Sequence, residues 1–114
     1  MLKLGSAKKV TIHFNEDTSS RSDFMSREIL SLLLREGVAG ATLLRPEAGF
    51  GSHHRLRDES GGIDSAGHMP LRIEFVDAPH NFDRLLPALL ELVTDGLIEA
   101  HDTVVLKAVD GKAR

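Results

Sequence analysis

The chain has no cysteine, no tryptophan and no tyrosine. Without cysteine there are no disulfides and no thiolate-ligated metal centres. Without Trp or Tyr, aromatic stacking is all but excluded and tyrosine modification has no target. No run approaches the roughly 18 apolar residues a membrane span needs, so membrane insertion is not expected. The segment Met1 to Lys9 lacks an apolar core followed by a small-residue cleavage site. It does not read as a secretory signal, and a cytoplasmic location is expected. A net charge of −3 gives no broad attraction for nucleic acid or anionic membrane.

What is present fits one folded domain over residues 1–114. Its hydrophobic fraction of 41% is ordinary for a globular chain. At this length folding buries roughly two-thirds of the surface of the unfolded chain.

From Lys8 to Asn15 the residues alternate, Val10, Ile12 and Phe14 against Lys9, Thr11 and His13. Such a period of two makes a half-buried strand. Ser22 to Glu36 reads as a helix with a stripe at Met25, Ile29, Leu32 and Leu33, widened by Leu30. Ser20 or Ser22 is available to cap it, Asp23 suits its positive end, and Gly37 suits a left-handed closing position. Ala41 to Arg45 predicts a second strand, ended by Pro46, and Pro70 to Val76 a third. Phe82, Leu85, Leu86, Leu89 and Val93 stripe a second helix, closed by Gly96. Asp77-Ala78-Pro79-His80-Asn81 marks a turn and a helix start, while Pro87 predicts a kink, or a helix that properly begins near Leu86. Thr103 to Val109 predicts the last strand.

The order strand, helix, strand, strand, helix, strand predicts an α+β, ferredoxin-like βαββαβ fold. Right-handed crossovers put both helices on one face of a four-stranded antiparallel sheet. The other face would carry Thr11, His13, Arg72 and Glu74 among apolar neighbours, which suits a subunit contact. The long loop of residues 46–69 is the place to look for function, since unstructured loops beyond about 12–15 residues are uncommon in compact domains.

Gly49-Phe50-Gly51 opens that loop. Glycines allow close backbone approach to a ligand, although the triplet also reads as a simple bend. It is neither a dinucleotide fingerprint nor a Walker loop, having no following helix and no suitably spaced lysine. His53, His54 and His68, with Asp58, Glu59 and Asp64, could ligate a metal or form a solvated polar loop. Glu16-Asp17 could be a carboxylate pair or simply favour the adjoining helix end. No Gly-x-Ser-x-Gly nucleophile motif occurs, and no aromatic pair sits in a basic strand as RNA readout requires.

Gly37-Val38-Ala39-Gly40-Ala41-Thr42, Gly49-Phe50-Gly51 and Pro70 to Val76 together resemble the PII family of trimeric signalling proteins. Glu16-Asp17, the run at 39–42, Leu85-Leu86-Pro87 and Asp95-Gly96-Leu97-Ile98 are closer still to its uncharacterised PII-like branch, the domain of unknown function 190. The resemblance covers about residues 8–109. It implies a non-enzymatic homotrimer that binds a small effector, such as an adenine nucleotide or similar anion, between subunits. Gly49, Phe50 and Gly51 would line the cleft from one subunit, and Gly40, Ala41, Thr42 and Glu74 from its neighbour. The long loop would touch a target protein such as a transporter. Where PII proteins place a glycine- and lysine-rich phosphate grip, this chain has Leu97-Ile98-Glu99-Ala100-His101-Asp102. Triphosphates would gain no cation there and would meet Glu99 and Asp102. The alternative is a divalent-cation-response protein of the same trimeric shape, with His53, His54 and His68 as ligands. An acylphosphatase-like enzyme shares the topology, but its arginine-bearing glycine loop is absent.

Overall fold

A computed structural model of the chain describes residues 2–15, 20–50, 57–58 and 70–109. Eight elements follow in order: β1 (Gly5–Asn15), α1 (Ser20–Arg35), β2 (Ala41–Leu44), β3 (Ala48–Gly49), β4 (Arg57–Asp58), β5 (Pro70–Asp77), α2 (Pro79–Leu92) and β6 (Gly96–Val105). The four long strands form one sheet in the order β2-β5-β1-β6, every neighbour antiparallel. This is the ferredoxin-like α+β arrangement expected from the element order.

The period-two pattern decides which face is core. Val10, Ile12 and Phe14 of β1 stand opposite Phe75, Ile73 and Leu71 of β5. All six are buried, in one cluster with Met25, Ile29, Leu32 and Leu33 of α1 and Phe82, Leu85 and Leu89 of α2. The intervening residues form the helix-free face. There Thr42, Glu74, Thr11 and Glu99 make one cross-strand row, and Leu44, Arg72, His13 and Leu97 the next.

The end of α1 follows from one glycine. Gly37 adopts φ of +84°, the left-handed region that costs a side-chain-bearing residue strain. Its N–H reaches the Leu34 carbonyl at 3.2 Å, and Val38 N–H reaches Leu33 O at 3.0 Å. That paired 5→2 and 6→1 pattern satisfies carbonyls the helix leaves unpaired, and Val38 then packs into the core. Arg84 of α2 locks the same corner, donating from Nη2 to the Glu36 carbonyl at 3.0 Å and pairing with its carboxylate.

Four expectations are corrected. Helix α1 begins at Ser20, two residues before Ser22, and the capping side chains expected there lie outside the described ones. Helix α2 begins at Pro79, within the start marked at residues 77–81 and not near Leu86, and runs on through Pro87 to Leu92. Proline fits the first helical position because the N–H it lacks would have no partner there. At position 87 the ring faces solvent, so the Asp83 carbonyl that loses its donor lies on the wet side. The last strand occupies Gly96 to Val105, not 103–109. None of its residues is fully buried, and its register comes from pairing with β1, which periodicity in β6 alone does not reveal. Within residues 46–69, Ala48–Gly49 and Arg57–Asp58 pair as a small hairpin, a non-local contact too short to carry a sequence pattern.

Candidate functional site

Four residues singled out in the sequence come together. Gly40, Ala41, Thr42 and Glu74 line one open depression of about 400 Å³ at the β2–β5 pair on the helix-free side. Strand register explains the convergence, since Thr42 stands directly opposite Glu74 and Ala41 opposite Phe75. Gly40 leaves clear space, with nothing within 4 Å of where its Cβ would be. The Glu74 carboxylate is not free, because Arg72 Nε lies 3.2 Å from its Oε2.

Two further lining residues are not marked by the motifs, Leu2 and, of more chemical interest, Lys9 of β1. It stands opposite Val76, on the same face as Glu74 and Thr11. The signal is in the alternation, which puts Lys9 beside Thr11 and His13; only the pairing of β1 with β5 brings it to the glycine turn.

Gly49 and Phe50 do not line that depression. A Cβ on Gly49 would lie 3.2 Å from Pro70 Cγ, and Phe50 projects into solvent. Pro70, with Pro46, His13 and Arg72, borders a second depression of about 260 Å³ on the same sheet. Gly51, Glu16, Asp17, His53, His54, His68, Glu59 and Asp64 lie outside the described residues, and of Asp58 only the backbone pairing with Ala48 is described. Among the described residues no group of three or more His, Asp or Glu is placed to hold a metal ion. A separate recess of about 650 Å³ between α1 and α2 holds none of the candidate residues.

The segment 97–102, expected to face a ligand's phosphates, is strand β6. Asp102 Oδ1 accepts from Lys8 Nζ at 2.6 Å. That bond and the attraction between the charges raise the Lys8 pKa and lower that of Asp102. Glu99 lies 3.2 Å from His13 Nε2 and 3.8 Å from His101 Nε2. Asp102 is therefore already neutralised, and it stands opposite Lys8 and not Lys9.

Sheet order and the two helices packed on one face define the ferredoxin-like α+β class. Residues 7–105 match the profile of DUF190, described as "Uncharacterized ACR, COG1993". The chain belongs to that family. It is 33% identical over 102 residues to a UPF0166 protein of Methanocaldococcus jannaschii, covering 89% of this chain and 93% of that one. Among solved structures it is similar to CPII, a nitrogen regulatory PII-like protein from Thiomonas intermedia bound to ADP, AMP and bicarbonate. The TM-score is 0.60 at 23% identity, with 94% of each chain covered. The divalent cation tolerance protein CutA1 of Thermus thermophilus gives 0.54 at 13% identity, covering 90% of this chain and 87% of that one. No helix among the described residues is long and apolar enough to cross a membrane.

Proposed function

We propose that this chain is a regulatory protein that binds a small effector, an adenine nucleotide or similar anion, and reports occupancy to a partner protein through residues 46–69. One observation carries the reading. Gly40, Ala41, Thr42 and Glu74 share a depression on the two strands that run directly into both ends of that segment. Thr42 is four residues from Pro46, and Glu74 is four residues from Pro70. A ligand that binds more tightly to one arrangement of these strands shifts the population of that arrangement, and the segment they anchor shifts with it. The nucleotides in the solved CPII structure support the ligand class.

The reading is one of binding and not of catalysis: what the lining offers is a hydroxyl and open backbone. Thr42 supplies a hydroxyl, and the open backbone at Gly40 admits close approach. Gly49, Phe50 and Gly51 of a neighbouring subunit would close the cleft over the ligand, which makes the trimer part of the site. Calorimetry with AMP, ADP, ATP and zinc tests the reading. AMP is expected to bind more tightly than ATP and to be recovered intact. ATP binding much more tightly than AMP would refute the proposed preference. Zinc binding alone, lost on combining His53→Ala with His54→Ala, would establish the cation-response alternative.

A further inference from the structure

Two adjacent lysines on β1 meet opposite fates. Lys8 points to the helix-bearing side and is ion-paired with Asp102 at 2.6 Å. Lys9, one residue on, points to the helix-free side into the depression beside Gly40 and Thr42. Among the described residues no carboxylate lies within ion-pair distance of Lys9. Among the described residues Glu74 is the one acid lining that depression, and Arg72 Nε lies 3.2 Å from its carboxylate. Among the described residues the depression therefore offers an ammonium group with three donors and no ion-paired carboxylate, with a hydroxyl and an open glycine in the same lining.

We propose that Lys9 is the cation that holds the effector's oxyanion, and that the site takes a ligand carrying one phosphate or carboxylate group. This rests on the reading of the depression as the effector site and adds its charge selectivity. Lysine binds oxyanions as a compact point charge, and hydrogen bonds to a charged group are the stronger kind. One lysine and one hydroxyl match one oxyanion. Among the described lining residues a second or third phosphate finds no further cation.

The test is calorimetry of the full chain with AMP, adenosine and inorganic phosphate. Wild type is compared with Lys9→Gln, Lys9→Arg and Lys8→Gln, each first checked to be fully folded at the assay temperature. Lys9→Gln should weaken AMP roughly 10- to 100-fold, the range of a lost charge-assisted hydrogen bond, and leave adenosine unchanged. Lys9→Arg should keep most AMP affinity, and Lys8→Gln should keep all of it. Equal AMP affinity in wild type and Lys9→Gln would overturn the inference and leave the nucleotide reading standing. If wild type binds neither AMP nor adenosine, yet holds inorganic phosphate in a Lys9-dependent way, the inference stands and the nucleotide reading falls.

Discussion

Gly96 is pressed against the backbone of His13. A Cβ at position 96 would stand 1.9 Å from the His13 carbonyl oxygen and 3.1 Å from the Phe14 Cα. The residue opens β6 opposite Phe14, so a side chain there would push the edge strand off β1. The obstacle is rigid backbone that cannot rotate away. Gly96→Ala is expected to destabilise the fold by about 1–3 kcal/mol, the usual cost of forcing extra volume into a packed site. Equilibrium urea unfolding measures it, and a midpoint equal to wild type would mean the strands do not approach this closely.

Two neighbouring leucines on α2 separate core from surface. Leu89 is fully buried, whereas Leu90 is 60% exposed. Leu89→Ala removes buried methyl groups and leaves a cavity, at a cost of about 2–5 kcal/mol. Leu90→Ala should change stability by less than about 0.5 kcal/mol, as surface substitutions do. Similar unfolding midpoints for the two variants would show that the helix is rotated about its axis.

Helices and central strands are legible in the sequence because they bury a continuous stripe. Met25, Ile29, Leu32 and Leu33, then Val10, Ile12 and Phe14, then Leu71, Ile73 and Phe75 are all core. Edge elements are harder to read. Strand β6 exposes Leu97, Glu99, Ala100, His101, Asp102 and Val104, so no alternation marks it and the pattern places it too late in the chain. Gly96 reads locally as a helix stop, whereas its reason lies 83 residues away at His13. At the site, family motifs identify the glycine turn and Glu74. Lys9 escapes those motifs because its place beside the glycine turn depends on strand pairing and not on local sequence.

The Lys8–Asp102 pair sets a signed pH dependence. Asp102 has a folded pKa below its ordinary 3.8, held down first by the hydrogen bond from Lys8 and then by its charge. The stabilisation is therefore fully present above that ordinary value and is lost as pH falls through the lower folded one. Lys8 gives the mirror case, with a pKa raised from 10.5 and a contribution lost as pH rises through it. Asp102→Asn should lower stability near neutral pH, and the gap to wild type should close below the ordinary carboxylate pKa. Both groups are exposed to solvent, so added salt should narrow the gap as well. A gap that persists unchanged at acid pH would mean the loss is not electrostatic.

The helix-free face bears on assembly. The β1–β6 pairing continues to Gly5 and Val105, beyond the end of β5 opposite Lys8. Leu97 on this ribbon and Leu106 at its exit are exposed. Ile98 and Leu97 face opposite sides of β6, and the second stands in the row of His13, Arg72 and Leu44 on the uncovered side. Three copies in closed cyclic symmetry would cover one another's uncovered faces, and the apolar side chains supply the driving force. Light scattering at micromolar concentration should give three times the 12.5 kDa chain mass. Leu97→Glu would bring a charge into each of the three equivalent contacts, where desolvation penalises it. It should lower the mass towards that of one chain without changing the far-ultraviolet dichroism. AMP affinity should fall with it, because residues 49–51 would no longer reach a neighbour's depression. A wild-type mass that stays near 12.5 kDa would sink the trimer and, with it, the shared cleft.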